Sequence, residues 1–364
     1  MFYFVLLSLS MQKIDLSLPF VFFRKPGEQC IYYWKSSTMA QELSADMLFA
    51  ISGKCWVTAP FSFNVSENLL VFRVSEEHVL QPDDLAVFSL NASEFKGAQS
   101  YPYADTSRSD FESWVRDAVD EIQAGRFQKT ALSKVRNAEL SADFDWMRWL
   151  EKATQTFPNA LVFFVHIPGR FTWAGATPEL FLAADPGALR SVSLAGTLHP
   201  DSSAEWSDKE LNEQQLVTHY IAEVFEKAGF SNVQVSGPDT LEIGRLRHLK
   251  SEFKVGLDVV NLADRLSMLV KELHPTPAVG GLPKKQGLDF LMSKETHQRH
   301  FYSGFLGPYQ HVESFQWYVN LRSMLVSSNH ALLYAGAGIT AGSNPEQEWL
   351  ETENKLRMNL DLLK

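Results

Sequence analysis

Strand-length apolar runs recur from one end of this chain to the other, and nothing long or polar enough to act as a spacer separates them. That continuity constrains the fold more than any single motif. Up to about residue 100 the runs are short and aromatic: "CIYYWKSS", "KCWVTAPFSFNV" and "NLLVFRV". Further on come "NALVFFVHI", "FTWAGA", "ELFLAA", "LRSVSLAGT", "SEFKVGL", "FYSGFLGPY", "SFQWYVNLRSMLVSS" and "HALLYAGAG". Helical periodicity interrupts them. Phe111, Trp114, Val115, Ala118, Val119 and Ile122 form a stripe opened by Ser109 or Asp110 and stopped by Gly125, with a strand expected over 126–136. Longer helices are expected over 207–228, near 264–273 and at the C-terminus. No linker, low-complexity tract or short-period repeat divides the 364 residues. The expectation is one large α+β domain, with large antiparallel sheets flanked by helices.

Charge and cysteine content narrow the function. Lys and Arg total 33 against 43 Asp and Glu, a net charge of −10 with no basic block, which argues against a nucleic-acid partner. The two cysteines, Cys30 and Cys55, form no CxxC or Cys/His cluster, so zinc is not expected and ordinary packing is. The opening "MFYFVLLSLSMQK" has no basic residue ahead of its apolar run and no small-residue cleavage site, and it is too short to span a bilayer. It reads as a first strand, or as an extension ahead of a start at Met11, in a cytoplasmic protein that does not enter the membrane.

The C-terminal stretch "AGAGITAGSNPEQEWLETENK" places Glu348, Glu351 and Lys355 at i, i+3 and i+7, one column on one helix face. A solvated face carrying a Glu351 to Lys355 pair is the ordinary reading. A second helix repeats the anomaly: in "SDKELNEQQLVTHYIAEVFEKAG", Glu213 extends the apolar stripe of Val217, Tyr220, Ile221, Val224 and Phe225. A carboxylate on a buried stripe needs a partner. Three carboxylates converging without matching cations would suit Mg²⁺, which keeps several waters and is completed by substrate.

Nine segments, in order from about residue 105 to the end, then resemble the chorismate-utilising enzymes: isochorismate synthases, salicylate synthases, and the chorismate-binding subunits of anthranilate and aminodeoxychorismate synthases. They are "GRFQKTALSK", "GATPELFL", "SLAGT", "KELNEQQLV", "RHLKSEF", "LHPTPAVGGLP", "YSGFLG", "NLRS" and the C-terminal stretch above. The resemblance implies the chorismate-binding fold of anthranilate synthase component I, with residues 1–104 as its β-rich N-terminal part and 105–364 as the catalytic region. It implies Mg²⁺ on Glu213 and Glu351, with Glu348 supporting through water. Gln214 departs from the histidine many members carry there.

The resemblance also assigns chemistry. Lys129 falls where isochorismate and salicylate synthases carry a lysine and anthranilate synthases a glutamine, and it is implied to be the base that activates water for attack at C2 of chorismate. Glu179 matches the acid that protonates the departing C4 hydroxyl. Arg322, Lys355 and Gly336 match groups that hold the substrate's carboxylates, while Gly196, His248, Thr276 and Tyr302 match other substrate contacts. For Thr276 and Tyr302 a satisfied turn and a packed aromatic are equally open, and His274 is expected to be structural. Ala195 stands where aminodeoxychorismate synthases that use a lysine nucleophile carry it. The implied activity is a monomeric Mg²⁺-dependent isochorismate synthase at the start of menaquinone synthesis. A salicylate synthase, which goes on to eliminate pyruvate, and a non-catalytic chorismate-binding scaffold are the alternatives.

Overall fold

Period-two alternation decides how the apolar runs are used. Phe20 and Phe22 pack into one cluster while Val21 and Phe23, on the opposite side of the same strand, pack into another. Val162 and Phe164 against Phe163 and Val165 repeat the pattern. Strands buried on both faces need cover on both, and a two-sheet stack with helices outside supplies it. A computed structural model of the protein describes residues 12–62, 68–95, 104–198, 205–243, 246–257 and 260–364. The opening run up to Met11 lies outside them.

Two nine-stranded sheets face each other, each antiparallel throughout. The first runs Gly281–Leu282, Lys129–Glu139, His330–Ile339, Ser323–Val326, Phe171–Thr177, Leu161–Ile167, Phe20–Arg24, Ile31–Lys35 and Glu76–Leu80. The second runs Gln234–Ile243, Leu246–Gly256, Ala188–Leu198, Leu180–Asp185, Ser314–Val319, Phe305–His311, Cys55–Ala59, Leu69–Arg73 and Gln41–Leu43. Trp56, Phe163, Trp173, Tyr318 and Tyr334 fill the space between them. The aromatic N-terminal strands thus extend both sheets. Cys55 is buried and Cys30 half-buried, and both are free thiols.

Among the described residues six α-helices surround the stack: α1 (Arg108–Gln123), α2 (Trp146–Thr156), α3 (Asp208–Lys227), α4 (Leu262–Leu273), α5 (Lys284–Lys294) and α6 (Pro345–Leu360). The stripe of α3, Val217, Ile221, Val224 and Phe225, packs with Leu266 and Leu269 of α4 against the second sheet. Trp146 and Leu150 of α2 cover the first. Ser107, rather than Ser109 or Asp110, caps α1, its hydroxyl accepting from Asp110 N at 3.1 Å. Ser207 and Glu210 form a capping box at α3, and Asn344 followed by Pro345 opens α6. No helix among the described residues is long and apolar enough to cross a membrane.

One expected strand is two. "SFQWYVNLRSMLVSS" breaks at 320–322: Ser314–Val319 belongs to the second sheet and Ser323–Val326 to the first. Arg322 makes the turn at φ 49°, a left-handed conformation unusual for a side chain of its size. Residues 177–180 make the reverse passage, from Phe171–Thr177 in the first sheet to Leu180–Asp185 in the second. The crossings are stitched together. Val319 N donates to Glu179 O at 2.9 Å and Ala176 N to Arg322 O at 3.2 Å, while Thr177 Oγ1 donates to Val319 O.

Candidate active site

Beside this seam lies a partly enclosed cleft of about 80 Å³. The two crossings deliver Glu179 and Arg322 to it; Lys129–Glu139 and His330–Ile339 form a wall; α3 and α6 bring acids and amines to one end. Of the residues singled out in the sequence, Glu179, Gly196, Glu213, His248, Tyr302, Arg322, Gly336, Glu351 and Lys355 line it, as does Ala195.

Glu179 is 3% exposed. Burial outweighs the nearby Lys129, Lys355 and Arg322 charges and lifts its carboxyl to about 8, so it is protonated at neutral pH. Burial likewise lowers the Arg322 guanidinium to about 10, with Glu179 opposing, which leaves it charged. His248 Nδ1 donates to Gly196 O at 3.0 Å, leaving Nε2 to accept from Arg322 Nη2 at 2.6 Å. Burial, then Arg322 and Lys355, hold this imidazole well below its usual range. A neutral histidine whose free nitrogen already accepts a hydrogen bond orients the arginine and has no proton to give.

The carboxylates are not left without cations. Glu213 Oε1 stands 2.9 Å from Lys129 Nζ, Glu348 Oε1 2.7 Å from Lys209 Nζ, and Glu351 Oε1 2.7 Å from Lys355 Nζ. Burial raises Glu351, but Lys355 and Lys209 more than offset it. Glu348 is pushed up by burial and by its neighbour Glu351, against the pull of Lys209. Lys209 was not foreseen. Its charge is disfavoured by burial, yet Glu348, Glu213 and Glu351 together hold its amine above the usual lysine range. A signal was present in the sequence: a lysine in the first turn of a helix faces the positive end of the helix dipole and so needs an anion.

Two placements differ from expectation. Lys129 is fully buried and does not line the cleft; its amine faces Glu213, at an angle that makes no hydrogen bond. Thr276 is buried outside the lining, to which its loop contributes Ala278 and Val279. Gly196, in the lining as expected, is left-handed at φ 69°, and a Cβ there would sit 3.1 Å from Glu210 Cβ, so its missing side chain also makes room for α3.

The remaining expected residues fall as follows. Tyr302 stacks on Tyr334 at 5.0 Å. Gly336 O accepts from Lys355 Nζ at 2.8 Å. His274 Nε2 meets the carbonyls of Pro60 and Phe61, a structural tie. Gln214 Nε2 donates to Ser193 Oγ at 2.8 Å and Ser251 Oγ at 3.0 Å, pinning α3 to the sheet. Also unforeseen is Arg299, which lines the cleft, pairs with Glu295, and donates to Ala131 O and Val279 O, tying the wall strand to the loop.

The donor set fits Mg²⁺ in part. Glu213 and Glu351 offer carboxylates to one cleft, and the backbone at Gly338 admits Glu213 so closely that a Cβ there would lie 2.0 Å from its Oε1. Among the described residues no three His, Cys, Asp or Glu side chains are grouped as a complete ligand set. Two carboxylates plus water and substrate is the arrangement Mg²⁺ commonly takes.

The family described as "Chorismate binding enzyme" matches residues 8–364. The isochorismate synthase MenF of Escherichia coli K12 is 31% identical over 248 residues, 65% of this chain and 56% of that protein. The salicylate biosynthesis isochorismate synthase of Pseudomonas aeruginosa is 30% identical over 274 residues, 71% of this chain and 56% of that protein. The match therefore spans a little over half the length of these relatives. The solved structure of E. coli MenF, described as the menaquinone-specific isochorismate synthase, superposes with a TM-score of 0.75 at 22% identity, covering 99% of this chain and 92% of that one. It shares the fold. The two-sheet stack is thus a fold shared with a known group, and the family match over nearly the whole chain settles its membership: the chain belongs to the chorismate binding enzyme family.

Proposed function

We propose that this chain is an isochorismate synthase, converting chorismate reversibly to isochorismate with Mg²⁺ bound. The observation that carries the reading is Glu179, a buried carboxyl kept protonated near neutral pH in a cleft that also holds the cations of Arg322 and Lys355. Chorismate is a dicarboxylate with a hydroxyl to lose. Arg322, held by His248, offers a planar donor pair to one carboxylate, and Lys355 offers a point charge.

In this reading Glu179 gives its proton to the C4 hydroxyl, which leaves as water. Lys129 takes a proton from the water that attacks C2, so one hydroxyl is lost, one is gained, and the net change is an isomerisation. To do so its amine turns from Glu213 toward the ring. Bound by Glu213 and Glu351, with Glu348 behind them, Mg²⁺ would supply positive charge to the ring carboxylate. Menaquinone synthesis, a cytoplasmic location and a monomeric state belong to the same reading, supported by the names of the MenF relatives in the first case and by no opposing feature in the others.

Product identification tests it: purified protein with chorismate and Mg²⁺ yields isochorismate and no pyruvate. Stoichiometric pyruvate without a partner lyase would make it a salicylate synthase, and no product at all a binding scaffold.

A further inference from the structure

Each of the three lysines paired with a carboxylate at the acidic end of the cleft is placed differently. The Lys129 side chain is fully buried, with no route to solvent. Lys355 leaves the same helix as its partner Glu351 and is fixed a second time by Gly336 O at 2.8 Å. Lys209 is different. It reaches across from the first turn of α3 to Glu348 on another helix, α6, at 2.7 Å; its side chain is 20% exposed, as is that of Lys355, but among the described residues it has no second anchor of the Gly336 kind. A second carboxylate, Glu210 of its own helix, waits 3.9 Å from its nitrogen. Its stem runs beside Gly342, where even an added Cβ would stand no nearer than 3.6 Å, so the chain is not clamped there.

We infer that Lys209 is a tethered counter-ion for the carboxylate cluster in the metal-free protein, and that divalent metal binding displaces it toward Glu210 and solvent. This rests on the Mg²⁺ reading above. Without a cation among them, Glu213, Glu348 and Glu351 would repel one another across a poorly solvated end of the cleft. One ammonium lessens that repulsion without completing a ligand set. A dication does the same work better but is repelled by an ammonium left in place, so the metal's apparent affinity is reduced by the cost of moving the lysine.

The test is binding, not turnover. Mn²⁺ is titrated into wild type, Lys209→Met and Lys209→Arg, and the free-ion signal is followed by electron paramagnetic resonance. Lys209→Met is expected to bind on the order of tenfold more tightly than wild type, and Lys209→Arg to stay near wild type. Lys209→Gln replaces the methionine variant if that melts below the assay temperature. Wild-type binding with no gain, or a loss, in the neutral variants overturns the counter-ion role and leaves the metal reading standing. No binding in any of the proteins overturns both.

Discussion

Gly338→Ala asks whether the position of Glu213 matters. Gly338 lies on His330–Ile339, paired with Ala131 of the neighbouring strand. A Cβ there would fall 2.0 Å from Glu213 Oε1 and 3.0 Å from both Glu213 Cδ and Lys129 Cε. Real side chains do not approach closer than 3.0 Å, so the carboxylate must retreat by at least about 1 Å. What moves is the end of a side chain, not backbone, so the sheet survives and stability falls by about 1–3 kcal/mol, the usual cost of overpacking. The chemistry suffers more, because a displacement of about 1 Å in a reacting constellation costs on the order of 10²-fold in rate. The assay is isochorismate formation at saturating chorismate and Mg²⁺, with a melting curve to show that the protein is folded. Gly342→Ala, whose Cβ would make an ordinary 3.6 Å contact with Lys209, is the control. A folded Gly338→Ala protein with wild-type turnover and an unchanged metal requirement would refute the reasoning.

Other expectations follow from the same geometry. Glu179→Gln keeps chorismate binding within a few-fold but loses on the order of 10²–10⁴ in turnover, as equilibrium binding and single-turnover measurements would show. Because Glu179 works in its protonated form and burial lifts its carboxyl to about 8, wild-type kcat/KM should fall as pH rises past that value. A profile flat to pH 10 would count against the acid. Lys129→Ala should likewise bind without turning over, and a normal rate would remove it from the mechanism. Glu351→Ala should blunt the response to EDTA, and an unaltered response would argue that no metal sits there.

Much of the scaffold was readable because its signals are local. The α3 stripe and its start at residue 207, and the terminal helix that follows Asn344 and Pro345, depend on residues within a few positions of one another. The split of "SFQWYVNLRSMLVSS" was not readable, because continuous hydrophobicity does not report that a strand changes sheets when both sheets are buried. The second expected feature to fail was charge balance. Helix periodicity aligned Glu348 with Glu351 and set Glu213 on a buried stripe of another helix, but gave no hint that Lys209 of α3 would reach across to Glu348. Lys129 shows the limit most plainly: its position in a motif says which strand it occupies, and only packing says that its amine meets Glu213 instead of the open cleft.

The doubled crossing at 177–180 and 319–323 carries a consequence of its own. Glu179 and Arg322 hang on the two backbone hinges by which the chain steps from sheet to sheet, and those hinges are bonded to each other. Any slide of one layer over the other therefore changes the gap between proton donor and anion clamp. The aromatic filling between the layers, Trp173 and Tyr334 foremost, acts as the spacer that calibrates that gap. A trimmed ring there would let the layers settle and move Glu179 relative to Arg322.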